Sequence, residues 1–361
     1  MKTLVLDPTA QELEYTLFTR GQRDPAREGT HAFDGSVEQA EDLIRAVVEA
    51  GEEIDADHRS GHGALCVGIR IGFGGQDFAG PTPATGEALS TLEELVPQSP
   101  LHLPRAINLT RAALNLFDAG RVILVFETAF FTRLPEREKR YGLPPDVAEK
   151  LELRRHGFHG LFHHAACEER RTGQKPAERS SALCVLSVCL EPKPEVAAII
   201  GNRPVMVTGG ATPLEGIPGE TSCGEIDPSL ALTIAEEQDW GPERVDRELT
   251  QQSGIKGLTG QTRLLRDVLC SGSDDDRLGR EVLEYRIQLA CGMGIAALGR
   301  IDGLLFSGRY ADAGQVLGPR LVKRIGPSLR RGQNLSWDSL ERPLSRIVAD
   351  QAYATFASTR E

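Results

Sequence analysis

Three short runs in this chain hold the side chains best suited to chemistry. H-G-F-H-G (His156 to Gly160) sets His159 between residues that include two glycines, where a tight backbone lets an imidazole come close to a ligand. V-G-I-R-I-G-F-G-G (Val67 to Gly75) presents Arg70 on an apolar strand that glycines stop. A guanidinium offers two parallel donors to a carboxylate or phosphate, which a lysine cannot. V-I-L-V-F-E-T (Val122 to Thr128) ends a buried apolar run in Glu127, and α/β folds bring ligand contacts to such strand ends. Each has a plainer reading as well: a turn histidine bonded to local backbone, or a polar residue closing a strand. His58, His62 and Cys66 recur every four residues, as metal ligands on a helix face would, but G-H-G-A-L-C-V-G is poor helix sequence.

Apolar patterning supplies the elements that must position these groups. Strands are expected at Thr3–Leu6, Tyr15–Thr19, Leu65–Ile71, Arg121–Phe126, Leu183–Cys189, Val196–Ile200, Pro204–Val207 and Leu304–Phe306. Helices are expected from an N-cap at Ser36 to Ala50, over Ile107–Ala119, from Pro144 into the G-F-H-G turn, onward through His163, and over Asp276–Arg300 and Ala349–Ser358. Pro81–Ser99 reads as loop around a short helix, and Thr208–Pro228 as irregular. Strands and helices alternate in both halves, which argues for α/β architecture.

With 361 residues, 40% hydrophobic and 26% charged, the chain is a globular protein of about two domains. A net charge of −11 disfavours nucleic acid and anionic membrane as partners. The sequence contains no apolar run near membrane-spanning length and does not open with a signal-peptide pattern, so a cytoplasmic setting is expected. Seven scattered cysteines without a C-x-x-C spacing argue against a disulfide framework.

Taken together, V-F-E-T-A-F-F (Val125 to Phe131), L-E-L-R-R-H-G-F-H-G-L-F-H (Leu151 to His163) and T-P-L-E-G-I (Thr212 to Ile217) resemble the acetate kinase family, whose segments are F-D-T-A-F-H, R-R-Y-G-F-H-G-T-S-H and T-P-L-E-G-L. The resemblance implies a two-domain α/β fold of the actin-like ATPase type with a cleft between domains. One domain would comprise residues 1–148 plus 340–361 and bind the acid; the other, 149–339, would take the nucleotide and form a homodimer. It implies phosphoryl transfer between Mg-ATP and a short carboxylic acid, acetate or propionate, through an acyl phosphate. Arg70 would hold the carboxylate, and His102, in L-H-L-P, would lie beside it. His159 would steady the phosphoryl group and Glu127 would supply the catalytic carboxylate.

The phosphate-binding motifs depart from that pattern. The family's N-A-G-S-S-S-L-K-Y is D-P-T-A-Q-E-L-E-Y here, Asp7 to Tyr15, with carboxylates at Glu12 and Glu14 where phosphate oxygens would lie. H-L-G-N-G-A-S becomes C-L-E-P-K-P-E, Cys189 to Glu195, losing the glycines that would let amides cradle phosphate. The arginine of T-R-S-G-D-I-D-P is Ser222, G-I-G-E-N reads R-Y-A-D-A from Arg309 to Ala313, and a nucleoside-contacting aspartate is Leu264. On the nucleotide side Gly210, Arg266 and Asp312 carry over. Asp7 and Asp312 stand where the family places Mg²⁺-associated residues, and Arg309, Lys193 and Arg203 are new cations that could replace lost charge. The expectation is an impaired kinase, or a pseudokinase that binds a small acid or acyl phosphate as a sensor or partner protein.

Overall fold

The computed structural model describes residues 1–9, 11–49, 65–172, 182–329 and 335–359. His58 and His62 of the metal-like spacing lie outside them. The chain divides into two compact units, Met1–Thr132 with Pro343–Glu361, and Arg133–Arg342. The segment 133–148, placed with the first domain on sequence grounds, therefore falls in the second unit. There the Val207 amide donates to Glu138 Oε1 at 3.0 Å, and Arg140 bridges to Arg154.

The first unit is built on a six-stranded sheet of β1 (Lys2–Pro8), β2 (Glu12–Thr19), β3 (Arg27–Ala32), β4 (Leu65–Ile71), β5 (Thr82–Pro83) and β6 (Val122–Phe126), in the order β3-β2-β1-β4-β6-β5. Its centre, β1-β4-β6, is parallel. Such strands are covered on both faces, which is why β6 reads as an uninterrupted apolar run and is buried throughout. The helices Leu103–Leu116 and Leu344–Ser358 both pack on these three strands. At the closest approach, a Cβ added to Gly68 of β4 would lie 2.8 Å from Ala352 Cβ.

Parallel register decides what the strand ends bring together. Leu6 of β1 stands beside Ile69 of β4, and Ile71 of β4 beside Phe126 of β6. Asp7, Arg70 and Glu127 follow at the carboxyl ends of these adjacent strands, where open α/β sheets carry their ligands.

The second unit has a five-stranded sheet of β7 (Cys184–Cys189), β8 (Glu195–Ile200), β9 (Arg203–Val207), β10 (Gly303–Ser307) and β11 (Trp337–Ser339), in the order β11-β10-β7-β8-β9. β7, β10 and β11 run parallel, whereas β8 and β9 join antiparallel. The helix Arg277–Leu298 lies against β8. A Cβ on its Gly294 would come within 2.4 Å of Leu186, so that helix sits unusually close to the sheet. The stretch between Val207 and Pro228 contains no helix or strand, as its Gly and Pro content predicts.

Several elements differ from the sequence reading, the short strands β5 and β11 among those not expected. β3 was not expected, because R-E-G-T-H-A lacks apolar alternation; it is a mostly exposed edge strand held by its ladder to β2. The helix expected from Ile107 starts at Leu103, where Pro104 suits the first turn. The last helix starts at Leu344, directly after Pro343, not at Ala349. The helix after Pro144 ends at Lys150 instead of reaching the G-F-H-G turn. Beyond it Glu152 is left-handed, and extended backbone takes over because the Arg155 and His156 amides donate to the carbonyls of Lys139 and Gly210 at 2.9 and 3.0 Å.

Candidate active site

In the first unit three charges meet at the strand ends. Arg70 donates through Nε to Glu127 Oε1 at 2.8 Å and through Nη1 to Asp7 Oδ1 at 2.9 Å. Burial works against the guanidinium charge, but Asp7 and Glu127 outweigh it and hold the proton more firmly than usual. Glu127 is buried at 1% exposure, and its other oxygen, Oε2, is enclosed with no hydrogen-bond partner among the described residues. Next to it, Thr128 Oγ1 accepts from the Gly74 amide at 2.9 Å and ties the turn after β4 to the end of β6. His102 caps the helix Leu103–Leu116. Protein packed about its ring, and then the Arg70 charge, lower its pKa, so it is neutral at pH 7.

In the second unit the G-F-H-G turn is organised by a residue that sequence reasoning passed over. Glu195, buried at the start of β8, accepts from the Phe158 and His159 amides at 3.1 Å each, and its Oε1 lies 3.3 Å from His163 Nε2. His163 Nδ1 is in turn 2.7 Å from Ser187 Oγ. Burial opposes the carboxylate, yet His163 and His159 hold its pKa below the usual range. A Cβ on Gly209 would fall 2.0 Å from Glu195 Oε2, so this glycine leaves space for the carboxylate. His159 itself donates from Nε2 to the Lys193 carbonyl at 2.9 Å, the only hydrogen-bond role that a carbonyl partner allows. The visible signal for Glu195 was an acidic residue opening an otherwise apolar strand.

Other donors of this unit are also engaged from within. Glu191 accepts from the Arg309 amide at 2.6 Å and from Arg309 Nε at 3.2 Å. Gly308 makes this possible: at φ +94° its backbone turns past the Leu190 carbonyl, which leaves no room for a side chain. Glu220 takes the Leu265 amide at 2.7 Å and the Tyr310 hydroxyl at 3.0 Å; burial and that carboxylate push the phenol to about 12. Lys193 Nζ donates to the carbonyls of Glu215 and Ile217 at 2.7 and 2.9 Å, and burial lowers its pKa to about 8. Glu215 receives Tyr141 and Arg155, and its carboxylate fills the space where Gly210 would carry a Cβ. Arg266 pairs with Asp312 at 2.6 Å, and Arg203 Nε donates to the Arg133 carbonyl at 3.3 Å.

The structure thus brings Asp7, Arg70 and Glu127 into contact. It sets His159 against the rewritten loop and pairs Arg266 with Asp312. Gly210 packs against a carboxylate and offers no open backbone cradle. Asp7 and Asp312, the candidate magnesium ligands, are each held by an arginine. Among the described residues, no three His, Cys, Asp or Glu side chains are grouped to hold a metal ion. With Arg309 held by Glu191 and Asp312 held by Arg266, the side chains at the positions where the resemblance would seat Mg-ATP are engaged within the chain.

The acetokinase family model matches residues 13–323. The chain belongs to that family. It is 33% identical to the acetate kinase of Sulfurovum sp. over 249 residues, 68% of this chain but 62% of that protein, so it spans under two thirds of that relative. It is 30% identical to the acetate kinase of Halothermothrix orenii over 80% of this chain and 71% of the relative. Solved acetokinase-type structures match it nearly end to end. The Porphyromonas gingivalis acetate kinase superposes with a TM-score of 0.80 at 22% identity, over 98% of this chain and 99% of that one. The Francisella tularensis propionate kinase gives 0.81 at 18%, over 97% and 98%. At such identities the likeness is one of fold, the two-domain actin-like α/β class read from the sequence. Among the described residues no helix is long and apolar enough to cross a membrane.

Proposed function

We propose that this acetokinase-family protein carries out phosphoryl transfer between ATP and a short-chain carboxylate, acetate or propionate, at most at a strongly reduced rate. The supporting observation is the closure of phosphate-side donors by the chain's own carboxylates, with Glu191 seated on the Arg309 amide and guanidinium as the clearest case. Phosphoryl transfer depends on free cations and amides around the phosphates, and an internal carboxylate on such a donor opposes a phosphate oxygen twice, by occupancy and by repulsion. Of the acid-side residues, Arg70 and Glu127 are paired at strand ends, and His102 stands at the start of the helix Leu103–Leu116. The second reading is therefore a non-catalytic protein that binds a small acid or acyl phosphate and acts as a sensor or partner, as a homodimer in the cytoplasm. None of the seven cysteines is in a disulfide, in keeping with a reducing compartment.

A hydroxamate assay with acetate, propionate and butyrate, ATP and Mg²⁺ tests the proposal, with an authentic acetate kinase and Arg70→Ala run alongside. Expected is acyl phosphate formation at least about a thousandfold below the authentic enzyme, the loss typical when transition-state cations are withdrawn. Turnover comparable with the authentic enzyme, and lost in Arg70→Ala, would overturn it and establish an active carboxylate kinase.

A further inference from the structure

The acid-side arginine is already in contact with a carboxylate that the family pattern does not place there. A guanidinium grips a carboxylate with parallel bonds along one of two edges, Nε with Nη2 or Nη1 with Nη2. Glu127 engages Nε of the first edge at 2.8 Å, and Asp7 engages Nη1 of the second at 2.9 Å. Each edge thus has one nitrogen committed. Asp7 and Arg70 reach one another because they come one residue after the registered pair Leu6 and Ile69 on neighbouring parallel strands. Both side chains keep some access to solvent, 17% for Asp7 and 24% for Arg70, whereas Glu127 has 1%. Glu127 is therefore the built-in structural partner, and Asp7 the one at the accessible side. The three charges sum to minus one, and His102 adds no positive charge at pH 7.

We propose that Asp7 is an internal occupant of the acid site: its carboxylate holds the place on Arg70 that a short carboxylic acid would take, and so sets the site's affinity for anions. This rests on the reading of Arg70 as the acid-binding residue. An incoming acetate must displace Asp7 or share Arg70 with it at a separation of a few ångströms, where like charges repel strongly in a partly buried setting. An asparagine at position 7 has nearly the same shape and no charge, and it leaves Arg70 paired with Glu127.

Isothermal titration of acetate and of propionate into the full chain at pH 7.5 and fixed ionic strength decides the matter. The proteins are wild type, Asp7→Asn, Arg70→Ala and the double variant, with Asp7→Ser as a second neutral replacement and circular dichroism as the check on folding. The expected result is a gain in affinity of about tenfold or more in Asp7→Asn and Asp7→Ser, abolished when Arg70→Ala is added. Equal binding by wild type and both neutral variants, lost in Arg70→Ala, would overturn the internal occupant while leaving the acid site in place. If none of the folded proteins binds either acid, or if Arg70→Ala binds as wild type does, the acid-site reading itself falls and Asp7 with it.

Discussion

His156 opens the G-F-H-G segment with its backbone bonded to Gly210 and its ring buried at 4% exposure. Burial, then the nearby Arg154 and Lys139 charges, lower its pKa from 6.5 to about 4. The unfolded chain therefore binds a proton between these values that the folded chain refuses, and stability falls as pH drops through the window. At pH 5 the loss from this one residue is about 2 kcal/mol. Urea unfolding at pH 7 and pH 5 checks it: His156→Gln should shrink the difference between the two, and an unchanged difference would remove His156 as its source. The residues legible in the sequence were those whose type is rare in its setting, such as Arg70 on an apolar strand, His159 in a glycine turn and Glu127 behind a buried run. Glu195 was not, because an isolated acidic residue ordinarily marks a solvated position. Only the fold reveals that its carboxylate is surrounded by two amides and an imidazole. Asp7 was legible as a departure from a pattern, but its pairing with Arg70 is a property of strand register.

The C-terminal helix Leu344–Ser358 and β4 approach so closely that one methyl group is felt. Gly68→Ala would place a Cβ at 2.8 Å from Ala352 and 3.3 Å from Val348, within elements that have little room to part. The expected cost is about 1–3 kcal/mol, the usual range for overpacking a core. Chemical denaturation measures it, and Gly68→Ala combined with Ala352→Gly should recover much of the loss; no recovery would place the strain elsewhere. Buried strands were readable because parallel strands covered on both faces carry runs of Val, Ile and Leu, as β6 does. β3 was unreadable because its residues satisfy only a ladder to β2 and no core. The segment before G-F-H-G reads as helix by local preference. Tertiary hydrogen bonds to Lys139 and Gly210 override that preference and set the turn's entry.

At the scale of the molecule, the second unit leaves apolar faces uncovered. The helix Pro228–Gln238 has no buried residue and exposes Leu230 at 50% and Leu232 at 72%. Tyr285, Leu289 and Met293, four apart along Arg277–Leu298, are similarly exposed and share one helical face. Such surface is more than solitary exposed residues account for and fits a partner copy. Light scattering after size exclusion should give twice 39.2 kDa, and Leu289→Asp with Met293→Asp should shift it to the monomer. A monomeric wild type at micromolar concentration would exclude the homodimer. That the first unit is discontinuous came from the family resemblance, since no local letter ties Leu344–Ser358 to β1, β4 and β6. The same discontinuity has a consequence for how the protein is made. On the ribosome, Arg133–Arg342 is synthesised as one uninterrupted stretch and can close its core before translation ends. The sheet of the first unit must wait, with one of its covering helices missing, until Leu344–Ser358 emerges. β1, β4 and β6 thus lack that cover for as long as translation of the intervening unit takes.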